Sequence, residues 1–273
     1  MLGKLDVRFP SMGIEREFRQ RELEAIGSKE DAISRRERVR LVLAANPHLA
    51  QRVCYVLHVG ALPAYVLVPT GSQVRDHMLD GLVRSERGEG WCLVIGRLGP
   101  VCRPDMCGGL LAPIVACDQI YSFDQDEWRS ALHARLSPAL TARKVKAETF
   151  ATTSRDLFDR ISTSLENLGA TDEHRALNYL LMQHPGIFLS AAERVGKQVL
   201  DRVETRHVQG LASRRLINVI LTFLDLATGV PERLFCRVDV TEEWPFLADD
   251  MDGRTSPLGL LPYVEGNFPG IPL

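Results

Sequence analysis

The chain has no apolar run long enough to cross a membrane. Its longest, Leu216 to Leu224, contains Asn218 and Thr222 and falls far short of the ~18 residues a membrane helix needs. A charged-then-apolar N-terminal signal is missing too, because Met1 to Phe9 is short and mixed. Net charge is close to nil, at −2 over 273 residues, which removes the electrostatic reason to expect nucleic acid or an anionic membrane as partner. The local basic groups Arg35, Arg36, Arg38, Arg40 and Arg214, Arg215 are interrupted by acids or reduced to a pair, and read as solvated faces. No phosphate loop is present: Gly96 to Pro100 lacks the spacing of a dinucleotide loop, and Gly108-Gly109 lacks the Lys-Ser/Thr of a Walker loop. The expected setting is the cytoplasm, where the six cysteines should stay reduced and disulfides are not expected.

What is present is an ordinary globular composition, 45% hydrophobic and 25% charged. At ~100–200 residues per domain, one large or two modest domains are expected. The first third reads as helix followed by sheet. Glu15 to Ala25 favours helix, and Ser28 with Asp31 would cap a second helix ending at Asn46-Pro47. Val53 to Val59 and Tyr65 to Val68 form a predicted hairpin, Val74 to Val83 a helix and Trp91 to Ile95 a short strand. Gly96 to Cys117, rich in Gly and Pro, reads as a structured loop entering a strand near Ile114. Asp124 opens a helix carrying Trp128 and Leu132.

Ser137 to Ala147, with Pro138 and few large apolar residues, reads as a linker. Beyond it, three amphipathic helices follow, through Leu157 to Leu168, Ala176 to Leu181 and Ile187 to Val199. The period then changes to two: Ile217, Val219, Leu221 and Phe223 turn through Thr228 to Pro231 into Leu234, Cys236, Val238 and Val240. Val203 to Val208 supplies a third strand. The fold class is α+β in two units, 1–140 mixed helix and sheet, 148–248 helices plus an antiparallel meander, with a Gly/Pro-rich tail over 249–273.

Several side chains could carry chemistry. Cys102 and Cys107 are the nearest approach to a zinc pair, but four residues separate them and no second tight pair exists, so no cofactor is expected, and zinc is the metal they would suit. Cys107 as nucleophile would need a lowered thiol pKa; the Gly pair after it suits close substrate approach or a plain turn. His174 is a candidate base, although Asp172 and Glu173 beside it are explained by the helix dipole alone. Alternation places Arg237, Asp239 and Thr241 on one face of their strand. Trp244 and Phe246 follow around Pro245, a charged and aromatic set suited to a peptide or protein partner unless the aromatics close the core. The edge of this meander is expected to accept an added strand.

Five stretches, Arg8 to Phe18, Pro104 to Leu110, Asp118 to Phe123, Gly169 to Tyr179 and Arg237 to Phe246, together resemble the C-terminal domain of unknown function of the PatA/PatG cyanobactin maturation proteases. They come in the family's order and span nearly the whole chain. In that family the region follows a subtilisin-like protease domain in pathways that mature ribosomally made peptides. No Asp, His and Ser set in recognisable motifs occurs here, so the resemblance implies neither proteolysis nor macrocyclisation. The favoured expectation is a non-catalytic recognition or assembly module in such a pathway, binding the precursor peptide, a maturation enzyme or a second copy of itself. The rival is a peptide-modifying enzyme using Cys107, Asp118, Tyr121, His174 and Asp239; a third reading is a zinc-stabilised scaffold.

Overall fold

The computed structural model describes residues 1–26, 33–86, 90–163, 167–208, 213–248 and 260–263. The chain divides into two compact units, Met1–Trp128 and Arg129–Leu273, and is α+β as its sequence implies. Among the described residues no helix is long and apolar enough to cross a membrane.

The first unit is built on a closed five-stranded barrel in the order β1-β2-β3-β5-β4. Its strands are β1 (Leu2–Arg8), β2 (Cys54–Val59), β3 (Leu62–Pro69), β4 (Gly90–Val101) and β5 (Pro113–Asp124). All neighbours are antiparallel except β3 and β5. Strand β1 closes the ring by pairing β2 along its length and β4 at Leu2 and Gly3. Helices α1 (Met12–Ile26), α2 (Arg35–Ala45), α3 (Pro47–Ala50) and α4 (Ser72–Glu86) complete the unit, and α4 packs on β1, β4 and β5. Its buried Met78, Leu79 and Leu82 supply the apolar face that makes this contact favourable. Ser34 caps α2, its hydroxyl accepting from the Glu37 N–H at 3.2 Å; the cap expected at Ser28 lies outside the described residues.

The Gly- and Pro-rich stretch from Gly96 is not all loop. Strand β4 runs on to Val101 against Pro113 to Cys117, and only the residues between form a turn. The ladder shifts register at Ile95/Gly96, leaving Asp118 as the extra residue of a bulge between Cys117 and Gln119. Gly96 is required there, because a Cβ would sit 2.2 Å from the Ala116 carbonyl oxygen.

The expected linker at Ser137–Ala147 is a correction: α5 (Gln125–Ala142) runs through Pro138, and four residues join it to α6 (Ala147–Thr163). Buried Leu132, Leu136 and Leu140 keep one helical stripe across the proline, which explains why the helix persists. Asp124 caps α5, its carboxylate accepting from the N–H groups of Asp126 at 2.9 Å and Glu127 at 3.3 Å. The unit boundary accordingly lies at Trp128/Arg129 and not between 140 and 148.

In the second unit α6, α7 (Asp172–Gln183) and α8 (Pro185–Arg194) pack on one another. They adjoin a sheet ordered β10-β8-β7-β6, with β6 (Gln198–His207), β7 (Leu216–Asp225), β8 (Pro231–Asp239) and β10 (Leu261–Pro262); β9 (Phe246–Leu247) also pairs with β8. Ile217, Val219 and Leu221 pair with Val238, Cys236 and Leu234 on the helix side, where Arg194 of α8 lies over the Phe223 ring at 5.1 Å. All seven residues from Gly186 to Ala192 are buried, and each large apolar side chain there contributes roughly 1.5–3 kcal/mol. Replacing Gly96 by Ala should lower stability by about 2 kcal/mol or more, because its contact is with backbone that cannot rotate away. Urea unfolding checks this, with the unobstructed but positive-φ Gly60→Ala expected to lose less.

Candidate functional site

The end of the meander where β8 leaves the sheet is organised by three arginines. Thr171 caps α7, accepting the His174 N–H at 3.3 Å. One turn in, Arg175 donates to the carbonyls of Val240 (2.8 Å), Glu242 and Glu243 (3.1 Å). Those are the carbonyls of a chain that has just lost its ladder partners, so the guanidinium substitutes for a strand. The Asp172 carboxylate holds both Arg175 and Arg215, each at 3.1 Å. Arg215 in turn donates to the Thr241 carbonyl at 2.7 Å, while its N–H meets the Thr241 hydroxyl at 2.7 Å. The stretch before Trp244 is thereby fixed, and Trp244 and Phe246 stand 53% and 46% exposed upon it. The aromatics do not close the core.

The polar face of β8, expected to meet a peptide or protein partner, is buried at Arg237 and Asp239. They are 9% and 2% exposed. Arg237 donates to Asn218 Oδ1 at 3.0 Å and lies over the Phe235 ring, which packs edge-on against Tyr263. Asp239 receives Arg214 Nε at 2.7 Å and the Thr241 N–H at 2.8 Å. Burial pushes the Asp239 carboxyl up, but the bonds from Thr241 and Arg214 outweigh it and hold it below the ordinary aspartate value. Thr241 is half-buried, and Trp244 and Phe246 remain accessible.

The outer edge of β8, where an added strand was expected, is occupied by the chain itself. Leu247 and Phe246 pair with Val238 and Asp239, and Leu261 and Pro262 with Phe235 and Leu234. The Ala248 and Tyr263 N–H groups take the carbonyls of Arg237 and Arg233, both near 2.9 Å. The opposite end of the sheet is different. Strand β6 is outermost and ten residues long, and among the described residues it pairs on one side only, with β7. Because the Val208 N–H bonds the Leu216 carbonyl, alternation turns Arg206 and Glu204 toward β7 and leaves Val203, Thr205 and His207 presenting N–H and C=O outward. Toward its start β6 bulges between Leu200 and Arg202, and Arg160 of α6 donates to the carbonyls of Leu200 and Asp201. The signal for this edge was the Val203–Val208 strand assignment, which lacks a neighbour on one side in any three-strand meander.

The catalytic candidates do not assemble. Cys107 is bonded to Cys54, with Cα atoms 6.0 Å apart, correcting the expectation of reduced thiols. The 102–110 loop folds Cys107, Cys102 and Leu110 onto the Cys54 and Val56 side of β2, which brings the sulfurs together in a dry cluster. Gly108 and Gly109 have positive φ, so the Gly pair makes the turn of this loop. Asp118 sits at the bulge with Arg97 at 3.5 Å, and the exposed Tyr121 hydroxyl donates to Gln119 at 2.7 Å. His174 lies in the first turn of α7 with Nδ1 buried and without a partner. Among the described residues no hydrogen bond or ion pair joins any two of these candidates. Nor does any group of three or more His, Cys, Asp or Glu converge as metal ligands, and Cys107 has no thiolate to offer Cys102 as a zinc partner.

Residues 144–252 match the family model described as PatG C-terminal. That stretch lies within the second unit, which to this extent is similar to the PatG C-terminal family. Across both units the fold is similar to a solved structure described as "PatG Domain of Unknown Function", with a TM-score of 0.63 and 17% identity over 90% of this chain and 94% of that chain. At that identity the likeness is one of fold. No curated protein matches the chain.

Two outcomes follow for this chain. Since the Asp239 pKa is depressed on folding, its stabilisation is present above the unfolded value and is lost as pH falls through the folded one, below about 4. Asp239→Asn should cost about 2 kcal/mol at pH 7 and flatten the acid limb of stability against pH. Chemical denaturation from pH 7 to pH 3 reads both. Separately, thiol titration of unfolded, unreduced protein should find four of the six cysteines reactive, and six after reduction.

Proposed function

We propose that this chain is a non-catalytic recognition module in cyanobactin-type ribosomal peptide maturation, taking an extended stretch of precursor peptide as an added strand along β6. The observation that carries the reading is the contrast between the two edges of the meander. The chain closes the β8 edge with its own β9 and β10, and among the described residues leaves the ten of β6 paired on one side. Main-chain bonding to a strand edge suits a precursor whose segments differ in sequence, because the backbone donors and acceptors are common to all. Trp244, on the loop that Arg175 pins, and Phe246 of β9 are exposed beside β8 and not along β6. As apolar anchors, a kind worth ~2 kcal/mol or more, they would meet a flanking segment of the peptide and not the stretch paired with β6. Arg237 and Asp239, being buried, support the sheet and do not meet the peptide. Thr241 shapes the loop through its bonds to Arg215 and Asp239. Nothing in the geometry favours the enzymatic rival.

Thr205→Pro removes one outward N–H without breaking a bond to β7. Fluorescence anisotropy with labelled linear precursor peptide should show binding by the natural chain that weakens roughly tenfold in Thr205→Pro, with Tm shifted by no more than a few degrees. Equal binding by both overturns the β6 assignment. Sedimentation without peptide separates a second occupant: a dimer dissolved by Thr205→Pro would assign the edge to self-pairing.

A further inference from the structure

The arginine cluster at the start of α2 divides into two kinds. Arg38 pairs with Glu22 at 3.0 Å, and Arg40 pairs with Asp80 at 3.1 Å and Glu37 at 3.3 Å. Glu22, Glu37 and Asp80 are thereby engaged. Among the described residues Arg35 and Arg36 have no such partner, and Nη1 of Arg36 is shut off from water with no hydrogen bond. A buried guanidinium N–H left unbonded is costly by ~1–3 kcal/mol, more when charged, so an acceptor for it would be bound favourably.

Space for that acceptor exists beside it. A cavity of about 200 Å³ lies between β1, α2 and α4, with Arg35 and Arg36 on its wall. Its remaining lining is mostly apolar: Val7, Phe9, Val39 and the fully buried Leu82. Asp6 is the single acid among the described residues of the lining. One of its oxygens accepts the Val7 N–H at 2.9 Å, and it makes no ion pair with either arginine. Two cations against one carboxylate leave the cavity net positive. The volume is below the ~300 Å³ at which pockets for drug-sized ligands begin, so it suits a group no larger than one amino-acid residue. The apolar wall disfavours a fully hydrated phosphate, whereas the planar guanidinium fork matches a carboxylate.

We propose that this cavity binds a carboxylate carried next to a small apolar group, either the C-terminal residue of a peptide or a free, N-acylated apolar amino acid. The carboxylate meets Arg36 with Arg35 beside it, the side chain lies against Val39 and Leu82, and the amide N–H of the ligand donates to the second oxygen of Asp6. This site is in the first unit and stands independently of the β6 reading.

Calorimetry on the full chain tests it with three small probes: N-acetyl-leucine, its C-terminal amide and inorganic phosphate. N-acetyl-leucine should bind with a dissociation constant of ~1 mM or tighter, and the amide at least tenfold more weakly. Arg36→Met, which removes an unbonded buried donor, should abolish that binding without lowering Tm, while Arg40→Met should bind as the natural chain does. No heat with N-acetyl-leucine at ~10 mM, equal binding of acid and amide, or phosphate binding as tightly overturns the proposal. So does full affinity in Arg36→Met. The comparison of acid with amide uses only the natural chain, and decides even if the variant misfolds. A leucine-terminated pentapeptide then separates the sources: tighter binding than N-acetyl-leucine assigns the site to peptide ends, equal or weaker binding to the free small acid.

Discussion

Every N–H and C=O on a buried strand needs a partner, and in the second unit that requirement is hardest to meet at β8. The strand is buried on both faces from Leu234 to Asp239, so water cannot serve its outer edge. The chain returns twice, at Phe246–Leu247 and Leu261–Pro262, to supply the missing bonds. Once β8 is an interior strand, the architecture around it is constrained. The helices take the face carrying Cys236 and Val238, the Arg237–Asn218 hydrogen bond and the Arg214–Asp239 ion pair take the other, and among the described residues β6 is left as the outer strand. Arg175 performs the same service beyond the end of β8, where the departing carbonyls have no strand to meet.

The parts of the fold that were legible in the sequence are those in which burial follows a single period. The alternation of Ile217 to Phe223 and of Leu234 to Val240 marks the hairpin directly, because each strand has one face toward the helices. The helical stripes of α6, α7 and α8 are similarly plain. Strand β1 was not legible, since its buried Leu2 and Leu5 are three residues apart and the residue between that shares burial is a glycine. The continuation of β4 was hidden by Gly96, Gly99 and Pro100, which signal a loop in isolation and here form bulges in an exposed ribbon. Pro138 misled for the opposite reason: one missing N–H was tolerated because three leucines kept the helix seated.

The site was legible in composition but not in placement. Trp244 and Phe246 are exposed as a recognition surface requires, yet alternation alone could not reveal that the second face of β8 is covered, because periodicity reports a difference between faces and not whether either one is wet. The disulfide escaped for a related reason. Cys54 and Cys107 are 53 residues apart, and only the fold of the 102–110 loop over β2 makes them neighbours. Arg35 and Arg36 looked the same as Arg38 and Arg40 until the partners of each were known.

The bulge in β6 sets a ruler. Arg160 closes the carbonyls of Leu200 and Asp201, and the ladder slips there, so an incoming strand meets an obstruction at one end. Regular edge remains from Val203 to His207, five residues or about 17 Å of extended chain. A guest strand lying there, on the proposed reading, would bond at every second residue, to the N–H and C=O of three residues, Val203, Thr205 and His207. On the proposed reading such an edge would measure length and fix the frame in which alternate side chains point up or down, while leaving their identity free. A module of this kind would accept many peptides of one gauge, and would hold the next segment at a constant distance from whatever acts upon it.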